Sequence, residues 1–290
     1  MPYIRTRRKG KYLYKELVET VYEAGKPVQK FLKHLGKAEA YPVVAILDKE
    51  SVKIIETIKE RHNKEWQKLP QSMKEKFLQD FMIKFTCDTN RIEGSTLTLR
   101  DTSLILKDKV APKGASTKEV REVENHEKAF DFMYSYADEL SLDFILKMHK
   151  LLLQNVDDEI AGKLRDFNVI ISGSVFKPVP HEHVVFEMKE FLLWYEQAKK
   201  KLHPFEIAGL VHLYFVTIHP FGDGNGRMSR LLMNFIMKRD GYPMLNILYK
   251  EREDYYEALE ECQVNKTQKI FLNYLFEEYK KQYQEYKEYL

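Results

Sequence analysis

The feature that most constrains this chain's fold is a pair of apolar runs interrupted by one glycine-rich polar stretch. Residues 208–218 and 231–237 are apolar on all sides, which predicts two buried helices rather than surface ones. Between them stands His219-Pro220-Phe221-Gly222-Asp223-Gly224-Asn225-Gly226-Arg227-Met228-Ser229-Arg230. Three glycines permit a tight bend and a close ligand approach. A second helix starting near Asn225 or Gly226 turns its unpaired N–H groups and positive dipole end toward that bend, an arrangement suited to phosphate. Arg227 and Arg230, three residues apart, add two positive charges to one face of the first turn. Asp223 is the only acid of the stretch, and beside a phosphate cradle it suits a divalent cation shared with phosphate oxygens. His219 is the group whose ordinary pKa fits proton abstraction near neutrality. A calcium loop starting at Asp223 is ruled out, because its glycine would fall at Met228 and its closing glutamate at Asn234.

These twelve residues resemble the Fic-family signature, His-x-Phe-x-(Asp/Glu)-Gly-Asn-Gly-Arg-x-x-Arg, at every specified position. The resemblance implies a mainly α Fic helical core that transfers a nucleotide monophosphate, usually AMP from ATP, to a protein Ser, Thr or Tyr hydroxyl. It implies that His219 deprotonates the hydroxyl and that Asp223 holds Mg²⁺, with Mn²⁺ as a substitute. It also implies that Gly224, Asn225, Gly226 and Arg227 form the anion hole, with Met228 and Ser229 in the same turn, and that Arg230 takes the γ-phosphate. Upstream, Thr89-Asn90-Arg91-Ile92-Glu93-Gly94 resembles the Fic inhibitory motif, (Ser/Thr)-x-x-x-Glu-(Gly/Asn), placed before the core as in the N-terminally autoinhibited class. In that class Glu93 would pair with Arg230 where the γ-phosphate should sit.

Composition bounds the rest. A chain of 290 residues, 44% hydrophobic and 31% charged, is of ordinary globular character. A net charge of +3 gives no general case for nucleic acid. Cys87 and Cys262 have no metal or disulfide spacing, there is no apolar leader, and no run is long enough to span a bilayer, so the expected location is the cytoplasm, away from membranes.

Four regions are expected: a basic appendage (1–40), a helical region carrying the inhibitory helix (41–115), the Fic core (116–250) and C-terminal helices (251–290). The first 40 residues hold ten basic and four acidic residues, net +6, leaving −3 for the remainder. β-formers at 12–14 and 17–22, the turn Glu23-Ala24-Gly25-Lys26 and the following 27–32 predict a small antiparallel hairpin, with a short helix after Pro27 as the other reading. Its charge suits nucleic acid, but lysines guarding a sheet edge are the favoured explanation. Helices are expected over 45–66, over 73–85 and on to Gly94, and over 117–138, 142–154, 184–201 and 271–290, with His126 and His149 structural. The run 168–178 is the one β signal of the core. It predicts a hairpin resembling the Fic flap, whose Val169, Ile170, Ile171 and Ser172 would line the nucleotide while its edge pairs with a target segment. His181 and His183 are expected in the loop after it. By the same resemblance Tyr255 and Tyr256 border the adenine. The position seven residues past Tyr256, often Asn in this family, is Gln263, with Asn265 two further on.

The reading is an autoinhibited Fic-type adenylyltransferase acting on a protein substrate, and itself. The alternatives are another cargo (UMP, phosphate or phosphocholine), a de-AMPylase, or a nucleotide-responsive regulator gripping nucleic acid through residues 1–40. A homodimer stays open.

Overall fold

A computed structural model describes residues 2–9, 12–23, 25–37 and 41–287. Strands β1 (Pro2–Lys9), β2 (Tyr12–Glu23) and β3 (Lys26–Lys37) form an antiparallel sheet in the order β1-β2-β3. The expected hairpin is β2–β3, closed by Gly25 at φ 79°. β1 is an additional strand, paired in register Pro2↔Glu19 to Lys9↔Tyr12. Lys11, Ala24 and Glu39, part of the basic-segment reading, lie outside the described residues. The glutamates of the sheet lie on the central strand, while β1 and β3 carry only basic charge, the pattern that discourages edge-to-edge pairing.

The remainder is helical: α1 (Lys49–Lys68), α2 (Gln71–Ile92), α3 (Leu99–Ser103) running into a π-turn at Leu104–Asp108, α4 (Thr117–Ser135), α5 (Leu142–Leu153), α6 (His181–Ala198), α7 (Pro204–Ile218), α8 (Asn225–Arg239), α9 (Arg252–Asn265), α10 (Lys269–Gln282) and a last turn α11 (Gln284–Lys287). Pro70 separates α1 from α2 as expected. α1 starts four residues later than its pattern suggests because Asp48 caps it, accepting the Ser51 N–H at 2.7 Å. α6 starts three residues earlier than expected, so His181 and His183 belong to its first turn rather than to a loop. The C-terminal helix breaks at Tyr283, whose hydroxyl donates to the Met244 carbonyl at 2.5 Å. Residues 288–290 lie outside the described part.

The two apolar runs become α7 and α8, the centre of the core. Every residue of α7 except Pro204 and Thr217 is buried, which is why its sequence shows no polar face. Gly209 lets α10 approach closely, since a Cβ there would lie 2.5 Å from Leu272 Cδ2. Glu206, buried in the first turn of α7, caps that helix through the His203 N–H and accepts the N–H groups of Ile46 and Leu47 at 2.6 and 2.8 Å. One carboxylate thus fixes the segment before α1 to the core. Among the described residues, no helix is long and apolar enough to cross a membrane.

The predicted flap hairpin does not form. Residues 163–180 contain no strand, only a turn in which the Ser174 N–H reaches the Ile171 carbonyl at 3.3 Å. Pro178 and Pro180 remove two ladder donors from the return arm. Glu260 of α9 instead accepts the Ser174 hydroxyl and the Val175 N–H, at 2.5 and 2.8 Å, and anchors the loop tip. β-branched residues here record exposure rather than pairing, with Ile170 92% exposed.

Candidate functional site

The site is built on the bend between α7 and α8. His219 ends α7 in the left-handed region (φ 53°, ψ 60°), which turns the chain back on itself. Its Nδ1 lies 3.2 Å from the Val216 carbonyl, to which it donates, leaving Nε2 as the basic nitrogen. Burial, helped by the Arg165 charge, lowers the His219 pKa below its ordinary value, against the opposing pull of the Val216 carbonyl, Glu93 and Asp223. The imidazole is therefore neutral at pH 7, as a proton acceptor must be.

Asn225 shapes the loop rather than facing out. Its side-chain oxygen accepts the Phe221 N–H and its amide donates to the Phe221 carbonyl, both at 2.9 Å. Gly224 precedes α8 with φ 77°. The first helical bond runs from the Met228 N–H to the Gly224 carbonyl, so the N–H groups of Asn225, Gly226 and Arg227 point toward the bend. The side chains of Met228 and Ser229 turn into the core, which leaves them only a backbone role.

Asp223 sits on the rim with its side chain 54% exposed, one oxygen taking the Gly224 N–H at 2.6 Å. Among the described residues no cluster of three metal-ligating side chains exists. A lone, outward carboxylate fits a magnesium ion whose other ligands are phosphate oxygens and water. The Arg227 guanidinium is buried between Glu122 at 3.2 Å and Asp223 at 3.3 Å.

Arg230 lies fully buried at the back of the mouth. It donates to the Thr89 hydroxyl and carbonyl, to the Tyr255 hydroxyl at 3.1 Å, and to Glu93 Oε1 at 2.6 Å. Burial alone would depress its pKa, but Tyr255 and Glu93 raise it, so the charge is permanent. The predicted Glu93–Arg230 ion pair is thus present, joining residues 137 apart in sequence. The Glu93 carboxylate also covers the helix N-terminus, since a Cβ added to Gly226 would collide with Glu93 Oε1 and lie 3.4 Å from Arg230 Nη1. We expect Gly226→Ala to fold, because that glycine has no positive φ and the displaced atom ends a flexible side chain. Isothermal titration should show ATP binding weakened by about tenfold or more in a Glu93→Gly background, as the methyl fills the anion mouth.

Three predicted nucleotide neighbours are placed differently from one another. Tyr255 is buried behind Arg230, bonded also to His212 at 3.0 Å. Tyr256 is half-exposed and donates to the Ile92 carbonyl at 2.6 Å, one residue before Glu93. Gln263 donates to the Thr217 hydroxyl at 3.3 Å, near the end of α7. Of the flap residues, Ser172 and Ile170 are exposed and Val169 and Ile171 half-buried.

Two residues essential to this geometry carried no motif signal. Arg165, 5% exposed, donates from Nε to the His219 carbonyl at 2.7 Å and from its two Nη atoms to the carbonyls of Phe167 and Val179, at 3.0 and 2.5 Å. It ties both ends of the flap loop to the imidazole's own backbone. His149, expected to be structural, is so in a specific way. It stacks on Phe221 at 3.6 Å, accepts the Gly162 N–H at Nδ1 and donates from Nε2 to the Asp223 carbonyl at 3.0 Å.

A buried helix pair that presents an imidazole, a glycine bend with free helix N–H groups and the Arg230 guanidinium to one mouth defines a Fic-type domain. Residues 139–237 match the Fic/DOC family, and the chain belongs to that family. Protein adenylyltransferase fic-1 of Caenorhabditis elegans is 32% identical over 231 residues, 77% of this chain and 44% of that protein. Protein adenylyltransferase Fic of Nematostella vectensis is 34% identical over 238 residues, 78% and 53% of the two. Among solved structures, Fic-1 from C. elegans aligns with a TM-score of 0.72 at 29% identity, over 82% of this chain and 72% of that one. A Fic domain containing signaling protein from Bacteroides thetaiotaomicron aligns with a TM-score of 0.71 at 28% identity, over 81% and 94%. The chain spans about half the length of the curated relatives it matches.

Proposed function

We propose that the chain is an autoinhibited Fic-type protein adenylyltransferase that moves AMP from ATP to a hydroxyl of a protein substrate. The observation that carries the reading is the mouth at α8: a neutral imidazole with its Nε2 as base, and an anion site filled by Glu93 instead of phosphate. With Glu93 withdrawn, the N–H groups of Asn225 to Arg227 and the Arg230 guanidinium donate to the β- and γ-phosphate oxygens. The hydroxyl oxygen then attacks the α-phosphorus, His219 Nε2 takes its proton, and the bond to the β-phosphate oxygen breaks to release pyrophosphate. Asp223 would hold magnesium, which supplies charge neutralisation of the phosphates. In this reading Tyr256 and Gln263 border the base and the flap loop (Val169, Ile170, Ile171, Ser172) lines the nucleotide; the tie from Arg165 to the His219, Phe167 and Val179 carbonyls supports the second assignment.

The test uses α-labelled ATP with magnesium. Glu93→Gly should self-label about tenfold or more above wild type, the worth of one charged hydrogen bond in the mouth. His219→Ala added to it should abolish labelling, and equal labelling of the single and double variants would refute the assignment. Since burial lowers the His219 pKa, labelling by Glu93→Gly should be flat with pH above 6.5 and fall only below it. A profile whose acid limb lies above 6.5 would identify a different base.

A further inference from the structure

Glu93 is the C-cap of α2, and what holds it in register lies downstream. The Ser95 N–H bonds to the Asn90 carbonyl and the Gly94 N–H to the Arg91 carbonyl, both at 3.0 Å, with Gly94 at φ 99°. These paired bonds close the helix, and the left-handed glycine sends the chain across the start of α4. There one carboxylate receives it. Glu119 Oε1 accepts the Thr96 N–H at 2.9 Å, the Thr96 hydroxyl at 2.8 Å and the Ser95 hydroxyl at 3.4 Å. Glu119 Oε2 accepts the Ser116 hydroxyl and N–H at 2.9 and 3.3 Å, the reciprocal half of the α4 capping box. Capping needs only one of these oxygens. The other is spent wholly on the segment that leaves the inhibitory helix, and the Thr96 N–H leads the contacts that hold this acid down at about 2.

We propose that Glu119 and Thr96 are positioning residues for Glu93, fastening the exit of α2 to α4 and so keeping the turn that bears the Glu93 carboxylate against Arg230 and Gly226. The proposal rests on the inhibitory reading of Glu93. Removing the fastening leaves Gly94 as a swivel, and the last turn of α2 opens more often. A carboxylate is required because an amide at this place would turn an N–H toward one of two donor sets.

The experiment compares Thr96→Val, Glu119→Gln and Ser116→Ala with Glu93→Gly, each in the whole 290-residue chain. Thr96→Val and Glu119→Gln should raise self-labelling about fivefold over wild type, the factor one net hydrogen bond gives. Neither should add to labelling in a Glu93→Gly background. Hydrogen exchange of amides 89–94 should speed up in both, giving a readout that needs no catalysis. Ser116→Ala breaks the cap but keeps the Thr96 bonds, so it should lower Tm while leaving labelling and that exchange unchanged. Wild-type labelling and exchange in Thr96→Val and Glu119→Gln beside an active Glu93→Gly would overturn the proposal alone, as would an equal rise in Ser116→Ala. An inactive Glu93→Gly would overturn the inhibitory reading, and the proposal with it.

Discussion

Lowering the pH from 7.5 to 5 is expected to cost the folded chain about 4 kcal/mol from two histidines alone. His126 is wholly buried, bonded through Nδ1 to the Thr86 hydroxyl at 2.8 Å, and burial followed by the charges of Arg227 and Arg230 lowers its pKa to about 3. His149 is buried under the bend between α7 and α8, with a pKa lowered to about 4 chiefly by burial. In the unfolded chain both take up a proton near 6.5, whereas the folded chain refuses it until about 4 or below. Protons therefore favour unfolding, and stability falls as pH drops from 6.5 toward 4. At pH 5 each histidine contributes about 1.5 pH units of penalty, or about 2 kcal/mol. His212, also fully buried with its pKa far below normal, acts in the same direction. Urea melts at pH 7.5, 6 and 5 provide the check. A stability unchanged across that range would mean that these imidazoles find protonated alternatives inside the fold. Because His149 fixes the Asp223 carbonyl, the bend should loosen first.

Arg230→Ala is expected to destabilise the chain by about 4 kcal/mol, far more than Glu93→Gly does. Arg230 fills the space behind the mouth and serves the Thr89 hydroxyl and carbonyl, Tyr255 and Glu93 at once. Its loss leaves a cavity and several buried acceptors without a partner, each costing about 1–3 kcal/mol. Glu93→Gly costs less because the guanidinium keeps the Thr89 hydroxyl, the Thr89 carbonyl and Tyr255, and water can take the place of the Glu93 carboxylate, whose side chain is 31% exposed at the mouth. The two variants should therefore separate: Glu93→Gly stays near wild-type Tm and gains labelling, and Arg230→Ala loses both. Thermal melts alongside α-labelled ATP decide this. Comparable melting of the two variants would mean that Arg230 contributes to the fold only through its ion pair.

Much of the site was legible because its parts are neighbours along the chain. The apolar runs around residues 219–230 could only be buried helices, and Gly94 announced the end of α2 from its place after the last apolar turn. The flap was misread for an equally local reason. Val169, Ile170 and Ile171 have β-favouring side chains, but a strand needs a partner, and among the described residues none pairs with 163–180. Arg165 and His149 were invisible as site residues because their partners are backbone carbonyls and N–H groups, which every residue type supplies.

The sequence by itself determined the bend between α7 and α8: hydrophobic period, glycine freedom and the start of a helix act over a few residues, and that range suffices to place His219, Asp223 and the anion-facing N–H groups. Only the tertiary structure decided what stands in that mouth. The meeting of Glu93 with Arg230, and of Arg165 with the His219 carbonyl, depends on how α2 and the flap loop pack against the core. Periodicity specifies which face of a helix is buried, but not which neighbour covers it or at what height along the axis, and an ion pair needs both.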